Sequence, residues 1–336
     1  MPAPPSASRP VIAIPTGDPA GIGPEISLRA ARDARVTAVC RPLLVGDPAT
    51  VAAHGRAAGI ATALHVVETV AAADWSRPDT VNLLEARGPD AVPLAFGTVD
   101  AAYGRATLAA ARRAISAALA GEVAAVVAAP HTELSIARAG IAFDGYPSFV
   151  ARETGLPETD VFMMLCFDEV RIVHATLHLS VREALALLTR PHVDKAIRAA
   201  DTALRKLGIG RPRIYVSGVN PHAGEDGLFG REEIEIIAPA IAAARDAGLD
   251  VSGPFGADTM FHRRDCDAYL VMLHDQGHIP AKLLGFDRTA GLPIGSPILF
   301  SSVAHGSAHD IAGQGKADPS AMISAVRRLA GAAPEG

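Results

Sequence analysis

The sequence predicts an α/β protein whose sheets are mostly parallel. Short apolar segments alternate along the chain with amphipathic helical segments, as they do where parallel strands are joined by helices. Hydrophobic residues make up 49% of the chain and aromatic residues only 4%, which favours a helix-rich α/β protein over a β-sandwich. The 336 residues are enough for about two domains.

The first part of the chain contains three predicted strands and two predicted helices. Pro24 suits a first helical turn, where its missing N–H is not needed, and Gly121 suits the end of a helix. The stretch from about Val66 to Pro93 is expected to be irregular. In order, the predicted elements are the strand Val11–Ile14, the helix from Glu25 to about Ala34, the strand Pro42–Gly46, the helix of about Val99–Ala120 and the strand Val123–Ala129.

The second part continues the alternation after a turn at Phe143–Ser148, which precedes a helix. Ser180 is a suitable N-cap for the helix that follows it. In order, the remaining elements are the paired strands Phe162–Cys166 and Val170–Thr176, the helix Val181–Leu188, the helix of about Val193–Leu207, the strand Arg213–Ser217, the helix Glu232–Ala247, the strand Ala268–Met272 and the helix of about Pro319–Leu329.

Composition excludes several classes of partner. The formal net charge is −5 and no run of Lys or Arg stands out, so no nucleic-acid partner is expected. No apolar segment reaches membrane-spanning length, and Met1–Pro10 does not resemble a signal peptide, so no membrane association is expected. Three cysteines without CxxC spacing favour reduced thiols and a cytoplasmic location. A small-molecule substrate is therefore the expected partner.

Three histidines share one setting, because each follows a predicted strand. They are His178, His222 and His274, and the last opens the segment Leu273–Lys282, which is predicted to be a loop that turns at Gly277. Neutral imidazoles suit Zn²⁺, Co²⁺ or Ni²⁺, and three protein ligands with an open position are typical of a catalytic metal site. Three unrelated loop histidines are the alternative in a chain with 12 histidines.

Two glycine-rich segments could lie against anionic groups, although a tight strand-to-helix turn is the preferred alternative for the first, Gly17–Glu25. The spacing of glycines in Gly17–Glu25 is G-x-x-x-G-x-G rather than G-x-G-x-x-G, so a Rossmann fold is not predicted. In Ala304–Asp318, backbone N–H groups could cradle a pyrophosphate, and Asp310 could accept the hydroxyls of a ribose. An ordinary loop is the alternative.

These segments carry a family resemblance. Gly17–Ile26 and His305–Pro319 resemble the β-decarboxylating dehydrogenases of the isocitrate/isopropylmalate group. The histidine segments T-L-H-L-S, N-P-H-A-G-E and L-H-D-Q-G-H-I-P-A-K resemble the 4-hydroxythreonine-4-phosphate dehydrogenase family over almost the whole chain. The resemblance implies a two-domain, isocitrate/isopropylmalate dehydrogenase-like α/β fold. Residues 1–130 with about 284–336 would form the nucleotide-side domain, and about 131–283 the domain for metal, substrate and dimerisation.

The resemblance also implies cofactors and their ligands. It implies a homodimer in which His178 and His222 of one subunit and His274 of the other bind a divalent metal at a shared active site. Zinc is the metal expected, with cobalt, nickel, manganese and magnesium as alternatives. NAD would contact the residues His305, Gly306, Ser307, Ala308, Asp310 and Ile311.

Departures from the family pattern concern the substrate. Gly145–Ser148 is Gly-Tyr-Pro-Ser where the phosphate-handling members have Gly-His-Thr-Glu, Phe300 replaces an arginine, and an asparagine is missing near Gly291. A phosphate dianion without these partners would lose several kcal/mol of compensation. Together with Ala129-Pro-His131 and the H-D-Q-G-H-I-P segment, the pattern resembles the terephthalate cis-dihydrodiol dehydrogenase branch.

That branch implies NAD- and metal-dependent oxidative decarboxylation of terephthalate 1,2-cis-dihydrodiol to protocatechuate and CO₂. The alternative is a dehydrogenase for 4-hydroxythreonine-4-phosphate or a 4-phosphoerythronate/threonate-type substrate. A non-catalytic metal- or nucleotide-binding protein is the alternative from another class.

Candidate catalytic residues lie near the histidines. Lys282 is a candidate for contact with a substrate carboxylate or for proton donation. Asp258 or Asp275 could be the base or could orient a metal-bound histidine. A surface lysine and loop-capping aspartates are equally open interpretations. The remaining candidates are the substrate-pocket residues Tyr146, Pro147 and Ser148, and the histidines His131 and His278.

Overall fold

The computed structural model describes residues 9–77, 79–90, 93–285 and 289–331. Most of the amino-terminal segment considered for a signal peptide, and the far ends of the predicted nucleotide-side domain, lie outside these residues. No helix in the described ranges is long and apolar enough to span a membrane.

The described residues alternate between strands and helices. The strands are β1 (Val11–Pro15), β2 (Arg41–Gly46), β3 (Ala63–Val67), β4 (Thr80–Glu85), β5 (Ala125–Ala128), β6 (Phe162–Phe167), β7 (Val170–His174), β8 (Arg213–Ser217), β9 (Asp250–Phe255), β10 (Ala268–Val271), β11 (Ala290–Ile294) and β12 (Phe300–Val303). The helices are α1 (Gly23–Arg32), α2 (Ala34–Thr37), α3 (Pro48–Ala57), α4 (Ala101–Leu119), α5 (Glu133–Arg138), α6 (Tyr146–Thr154), α7 (Val181–Leu187), α8 (Arg190–Lys206), α9 (Ala238–Asp246), α10 (His274–Gly285) and α11 (Ser320–Leu329).

The chain divides into two compact units. The first contains the residues up to Phe143 and those from Phe300, and the second contains Asp144–Leu299. This division falls later along the chain, at both crossings, than the boundaries expected near 130 and 283.

The first unit contains a parallel sheet in the order β3-β4-β2-β1-β5-β12. Its central strands are apolar on both faces, and Ile12, Leu43 and Val126 are fully buried. A parallel sheet covered on both faces requires such strands, since helices pack on either side. Asp100 caps α4 through its carboxylate, which accepts from the Ala102 N–H at 2.7 Å.

The second unit contains a mixed sheet in the order β11-β6-β7-β10-β8-β9. The pairs β11–β6 and β6–β7 are antiparallel, whereas β7, β10, β8 and β9 run parallel. Ser180 caps α7 in a capping box with Glu183, as its sequence position predicted. The α/β class with mostly parallel sheets is therefore confirmed.

The segment Leu273–Lys282 was wrongly predicted to be a loop. It lies almost entirely in α10, which begins at His274 and contains both Gly277 and Pro280. These two residues usually interrupt helices, which is why the sequence favoured a turn. In this helix, Gly277 lacks a side chain because the sheet beneath it approaches closely.

Other differences also arise where local propensity misleads. The stretch expected to be irregular, about Val66 to Pro93, contains β4 and the last two residues of β3, and Asn82 lies buried within β4. Its side chain accepts from the Asp74 N–H and donates to the Asp74 carbonyl, both at 2.9 Å, so a poor strand former is satisfied there. The helix predicted to begin at Glu232 starts with a π-turn at Glu233–Ile237 and continues as α9.

Candidate active site

Four neighbouring strands of the second unit carry the predicted site residues at one edge of the sheet. His178 follows β7, His274 follows β10, His222 follows β8 and Asp258 follows β9. Because these four strands are parallel, their carboxyl ends meet at the same edge, where ligands bind in α/β sheets. The topology thus gathers segments that are distant in sequence.

Gln276 ties two of these strand ends together. Its side-chain oxygen accepts from the backbone N–H groups of Met272 and Leu273, both at 3.0 Å. Its amide nitrogen donates to the carbonyl of Gly218 at 3.1 Å, in the loop that leads to His222. One side chain therefore fixes the start of α10 relative to the His222 loop.

Helix α10 presents two distinct faces. Gly277, Ala281 and Gly285 recur at a spacing of four and are buried. A Cβ added at Gly277 would overlap the ring of His174, and one at Gly285 would lie 2.6 Å from Cδ2 of Phe167. The small residues therefore allow the helix to lie close against β6 and β7.

The other face of α10 carries functional groups. His274, His278 and Lys282 recur at the same spacing of four, which places them along one stripe of the helix. The rings of His274 and His278 are stacked, with centroids 3.8 Å apart and planes 9° apart. This H-x-x-x-H-x-x-x-K spacing was the signal in the sequence that could have identified the helix.

A buried hydrogen-bond chain extends from this stripe into the core. Nδ1 of His278 lies 3.0 Å from Nε2 of His174, and Nδ1 of His174 lies 3.3 Å from the carbonyl oxygen of Met163. Burial lowers the pKa of His174 to about 3 and that of His278 to about 4, with the neighbouring histidines adding to both shifts. Both rings are therefore neutral near pH 7, and each keeps a nitrogen lone pair.

Two of the predicted metal ligands lie close together within one chain. The ring centroids of His178 and His274 are 5.7 Å apart. Nδ1 of His274 lies 2.7 Å from a carboxylate oxygen of Asp275, which leaves the Nε2 lone pair of His274 available. When two imidazoles bind the same Zn²⁺, each through a nitrogen at about 2.0–2.1 Å, their ring centroids lie roughly 5–6 Å apart. The separation of this pair therefore fits a shared divalent ion.

His222, the third predicted ligand, lies on an exposed loop. Its side chain is 65% exposed, and its Nδ1 lies 3.5 Å from Oε2 of Glu225. The described residues contain no group of three or more His, Cys, Asp or Glu side chains arranged to hold a metal ion. The predicted site takes two ligands from one subunit and the third from its partner. A single chain does not test such a site, so it stays a prediction.

The His222 loop is strained but well anchored. His222, Ala223, Glu225 and Asp226 all have positive φ angles between 44° and 55°, which is costly for residues other than glycine. The buried carboxylate of Glu233 accepts from the N–H groups of Val219 and Asn220 at 2.7 and 2.8 Å. Glu233, which the sequence analysis missed, therefore holds the loop in this conformation.

A pocket opens beside His178. Its volume is about 200 Å³, and Pro147 and Ser148 line it together with His174 and His178. Ser148 donates to a carboxylate oxygen of Asp144 at 2.8 Å. Tyr146 is buried, with its ring edge-on to Phe149, so its two following neighbours form the wall of the pocket.

The remaining catalytic candidates are exposed. Asp258 lies just beyond β9, and Lys282 lies in the last turn of α10. The Lys282 ammonium contributes to lowering the pKa of His278, so it is near the stacked histidines. His131 lies in the first unit, with its ring against Phe143, and burial lowers its pKa.

The predicted dinucleotide loop of the first unit is held by residues near the amino terminus. Asp18 is fully buried, and its carboxylate lies 3.2 Å from Nε2 of His309. Thr132 donates to the hydroxyl of Ser307 at 2.8 Å, and the Ile22 N–H donates to the Ser307 carbonyl. Asp18 and Thr132 thus support this loop through His309 and Ser307, and neither of the two was predicted from the sequence to do so.

The predicted NAD contacts differ in their surroundings. His305, Gly306 and Asp310 are exposed, whereas Ser307 is only 7% exposed. The end of the loop is fixed by Glu25, which accepts from the Ala317 N–H at 3.2 Å, and by Arg29, which donates to the Gly315 carbonyl at 2.9 Å. The loop therefore presents its exposed residues from a rigid support.

Comparisons with known proteins place this architecture in a family. The chain is 42% identical over 323 residues to the 1,2-dihydroxy-3,5-cyclohexadiene-1,4-dicarboxylate dehydrogenase of a Comamonas species, covering 96% of this chain and 98% of that protein. It is 39% identical over 330 residues to the 4-hydroxythreonine-4-phosphate dehydrogenase of Desulforapulum autotrophicum, covering 96% and 95%.

Solved structures agree. The terephthalate 1,2-cis-dihydrodiol dehydrogenase of Burkholderia xenovorans LB400 has a TM-score of 0.77 and 41% identity, covering 98% of this chain and 100% of that chain. The 4-hydroxythreonine-4-phosphate dehydrogenase of Burkholderia phymatum has a TM-score of 0.86 and 35% identity, with the same coverage. The family described as pyridoxal phosphate biosynthetic protein PdxA matches residues 38–329, and the chain therefore belongs to the PdxA family.

Proposed function

We propose that the protein is an NAD- and metal-dependent dehydrogenase that oxidises a cis-dihydrodiol carboxylate and releases CO₂. The substrate proposed is terephthalate 1,2-cis-dihydrodiol, and the products are protocatechuate, CO₂ and NADH. The dehydrogenase relatives support an oxidoreductase that acts on a CH–OH group. The charge of the pocket beside His178 argues against a phosphate there, and the 42% identity to a dihydrodiol dicarboxylate dehydrogenase supports the choice of substrate.

That pocket is poorly suited to a phosphate. The described residues that line it include no Lys or Arg, and they include Asp144 and Glu158. The guanidinium of Arg152 lies 2.8 Å from Glu158 and 3.9 Å from Asp144, so its charge is engaged by these carboxylates. A phosphate dianion placed here would lack cationic partners, at a cost of several kcal/mol. A ring hydroxyl, by contrast, can use Ser148 and the neutral histidines.

Phe300 supports the same conclusion. The phosphate-handling proteins that the sequence resembles have an arginine at this position. In this chain, Phe300 is 1% exposed in β12, where it pairs with Val126. A buried phenyl ring cannot supply the charge-assisted hydrogen bonds that an arginine gives to phosphate. The departures from the phosphate-handling pattern at Phe300 and at Gly145–Ser148 thus lie in two separate parts of the chain.

The second candidate is a dehydrogenase for 4-hydroxythreonine-4-phosphate or a phosphorylated threonate or erythronate. The relatives that bear such names at 39 and 40% identity favour it. A cation would then have to reach the pocket from outside its present lining.

For the metal, we propose His178, His222 and His274 as ligands. The separation of 5.7 Å between the rings of His178 and His274, and the contact of His274 with Asp275, support this choice. A divalent ion held by these imidazoles would supply Lewis-acid stabilisation of negative charge on a substrate oxygen. Asp275 would keep His274 in the tautomer that presents Nε2.

The remaining steps use other residues of the chain. The loop His305–Ile311 would hold NAD⁺, whose chemistry would be to take up a hydride from the carbinol carbon of the substrate as the hydroxyl proton is released. Oxidation gives a β-keto acid. Cleavage of its bond to CO₂ leaves the electron pair as an enolate that completes the aromatic ring, and a proton taken up on oxygen gives the aromatic diol. Lys282 would contact a substrate carboxylate or donate a proton, because it lies on the stripe of α10 that carries His274 and His278. Asp258 remains a candidate base at the same edge of the sheet.

The substrate proposal is tested by NADH absorbance with a panel of substrates. The protein is supplied with NAD⁺ and a divalent ion, and receives terephthalate cis-dihydrodiol, 4-hydroxythreonine-4-phosphate or 4-phosphothreonate. We expect NADH formation with the dihydrodiol alone, with stoichiometric CO₂. Turnover of a phosphorylated substrate without turnover of the dihydrodiol would reverse the choice.

The sharing of the site between subunits is tested by mixed dimers. We propose a homodimer in which His178 and His222 of one subunit act with His274 of the other. Because His178 and His274 also lie close together within one chain, a site contained in a single subunit is the alternative that this test must exclude. Mixing His178→Ala with His274→Ala chains distinguishes these, because only the shared arrangement rebuilds one intact site and restores activity.

A further inference from the structure

We infer that the buried His174 and the half-buried His278 form a positioning pair that holds the ring of His274 for cation binding. The inference rests on the proposed role of His274 as a metal ligand. It concerns two histidines that lie behind that ligand, and it assigns them no contact with the cation. Three features of the geometry carry it.

The first feature is the direction of the hydrogen bonds. The Met163 carbonyl can only accept, so Nδ1 of His174 must donate to it, over 3.3 Å. Nε2 of a neutral His174 is then an acceptor, and Nδ1 of His278 must donate to it, over 3.0 Å. A backbone carbonyl of β6 therefore fixes the tautomer of both rings, and the orientation of His278 follows.

The second feature is the stack. His278 is held by His174 and lies flat against His274, with ring planes 9° apart and centroids 3.8 Å apart. A rotation of the His274 ring about its Cβ–Cγ bond would break this stack. His278, which is itself fixed by a core residue, therefore restricts rotation of the His274 ring.

The third feature is that the protein core supports the pair, whereas Asp275 is exposed to solvent. Asp275 also contacts His274, but its side chain is 79% exposed, and exposed ion pairs constrain geometry weakly. His174 is 1% exposed and is packed beneath Gly277, so the core fixes its ring, and its hydrogen bond with the half-buried His278 is partly shielded from water. The pair is thus the firmer of the two restraints on His274.

The groups around the pair are consistent with this role. Lys282 is the charged group that acts on His278 from its own helix, while His178 and His274 contribute from the site. The titratable side chains that act on His174 are His178, His274 and His278, and no carboxylate among the described residues acts on it. Within the described part of the chain the pair therefore lacks an acid partner, which suits positioning rather than proton transfer.

The test measures the affinity of purified, metal-free protein for Co²⁺, followed by the visible absorption of the bound ion. We expect His278→Leu, which removes both the stack and the hydrogen bond, to weaken binding about 10–100-fold. His278→Phe keeps a flat ring but loses the hydrogen bond, and His174→Leu removes the acceptor. Each should weaken binding less, and the double variant should bind no more weakly than His278→Leu.

Two further variants separate positioning from folding. His278→Gln retains an N–H donor for His174 and should fold if the leucine variant does not, with an intermediate affinity. His262→Leu replaces an exposed histidine of the same unit and should bind Co²⁺ as the wild type does. The thermal midpoint of each metal-free protein shows whether loss of affinity accompanies loss of structure.

The outcomes distinguish this inference from the proposed function. Unchanged Co²⁺ affinity in both His278→Leu and His174→Leu would overturn the positioning role while leaving the metal site in place. Lowered affinity that merely tracks the thermal midpoint would also overturn it, since a structural role explains that result. A wild-type protein that binds no cation would overturn both the metal site and the pair.

Discussion

Replacing Gly277 by alanine tests the packing beneath the candidate active site, because two known effects oppose each other there. Alanine is a better helix former than glycine by about 1 kcal/mol, so propensity alone predicts that Gly277→Ala stabilises α10. The structure predicts the reverse. A Cβ at Gly277 would overlap His174 and would also lie 2.9 Å from Cγ2 of Ile172, and both residues are buried.

The magnitude follows from the contacts. Overpacking a core costs about 1–3 kcal/mol. Displacement of the His174 ring would break its hydrogen bond with His278 and leave a buried polar atom unsatisfied, at about 1–3 kcal/mol. After the gain in propensity is subtracted, the free energy of unfolding should fall by about 1–5 kcal/mol.

The assay is chemical denaturation followed by far-UV circular dichroism. Trp75, the sole tryptophan in the sequence, lies in the first unit and reports that unit by fluorescence. Gly55→Ala in α3 is the comparison variant, since its Cβ would lie 3.2 Å from the terminal Cδ2 of Leu28 and 3.6 Å from the Ile60 carbonyl oxygen, and it should lower stability less than Gly277→Ala. A Gly277→Ala protein as stable as the wild type, or more so, would refute the close packing of α10 on β7.

Three other predictions concern different parts of the molecule. Burial lowers the pKa of His54, so its stabilising contribution is present above the unfolded pKa of 6.5 and is lost as pH falls toward the folded pKa. His54→Gln should therefore make unfolding free energy less steeply dependent on pH below that value, and an identical pH slope in urea titrations would contradict the assignment. Asp310→Ser should narrow the preference for NAD over NADP, because a carboxylate about 4 Å from a 2′-phosphate costs roughly 4 kcal/mol at intermediate dielectric; an unchanged ratio of kcat/KM values would exclude contact with the ribose. Removal of divalent ions by a chelator should abolish turnover and readdition of Zn²⁺ or Co²⁺ should restore it, whereas full activity in the demetallated protein would rule out the metal site.

Much of the architecture could be predicted because its signals are local. The apolar strands β1, β2, β5 and β10 are runs of adjacent residues, and the capping box at Ser180 spans one helical turn. Strand ends that carry His178, His222 and His274 could be recognised for the same reason. Their common edge followed once the strands were taken as parallel.

Only the tertiary structure decided the features that depend on contacts between distant segments. Gly277 looked like a turn residue from the sequence. Its spacing with Ala281 and Gly285 indicates a closely packed helix face only when a sheet is known to lie beneath that face. The chain from Met163 through His174 to His278 joins β6, β7 and α10, and no local pattern contains all three. A side chain's hydrogen-bond partner is set by the packing of whole elements. Sequence periodicity can therefore indicate which element carries a histidine, but not which other ring that histidine supports.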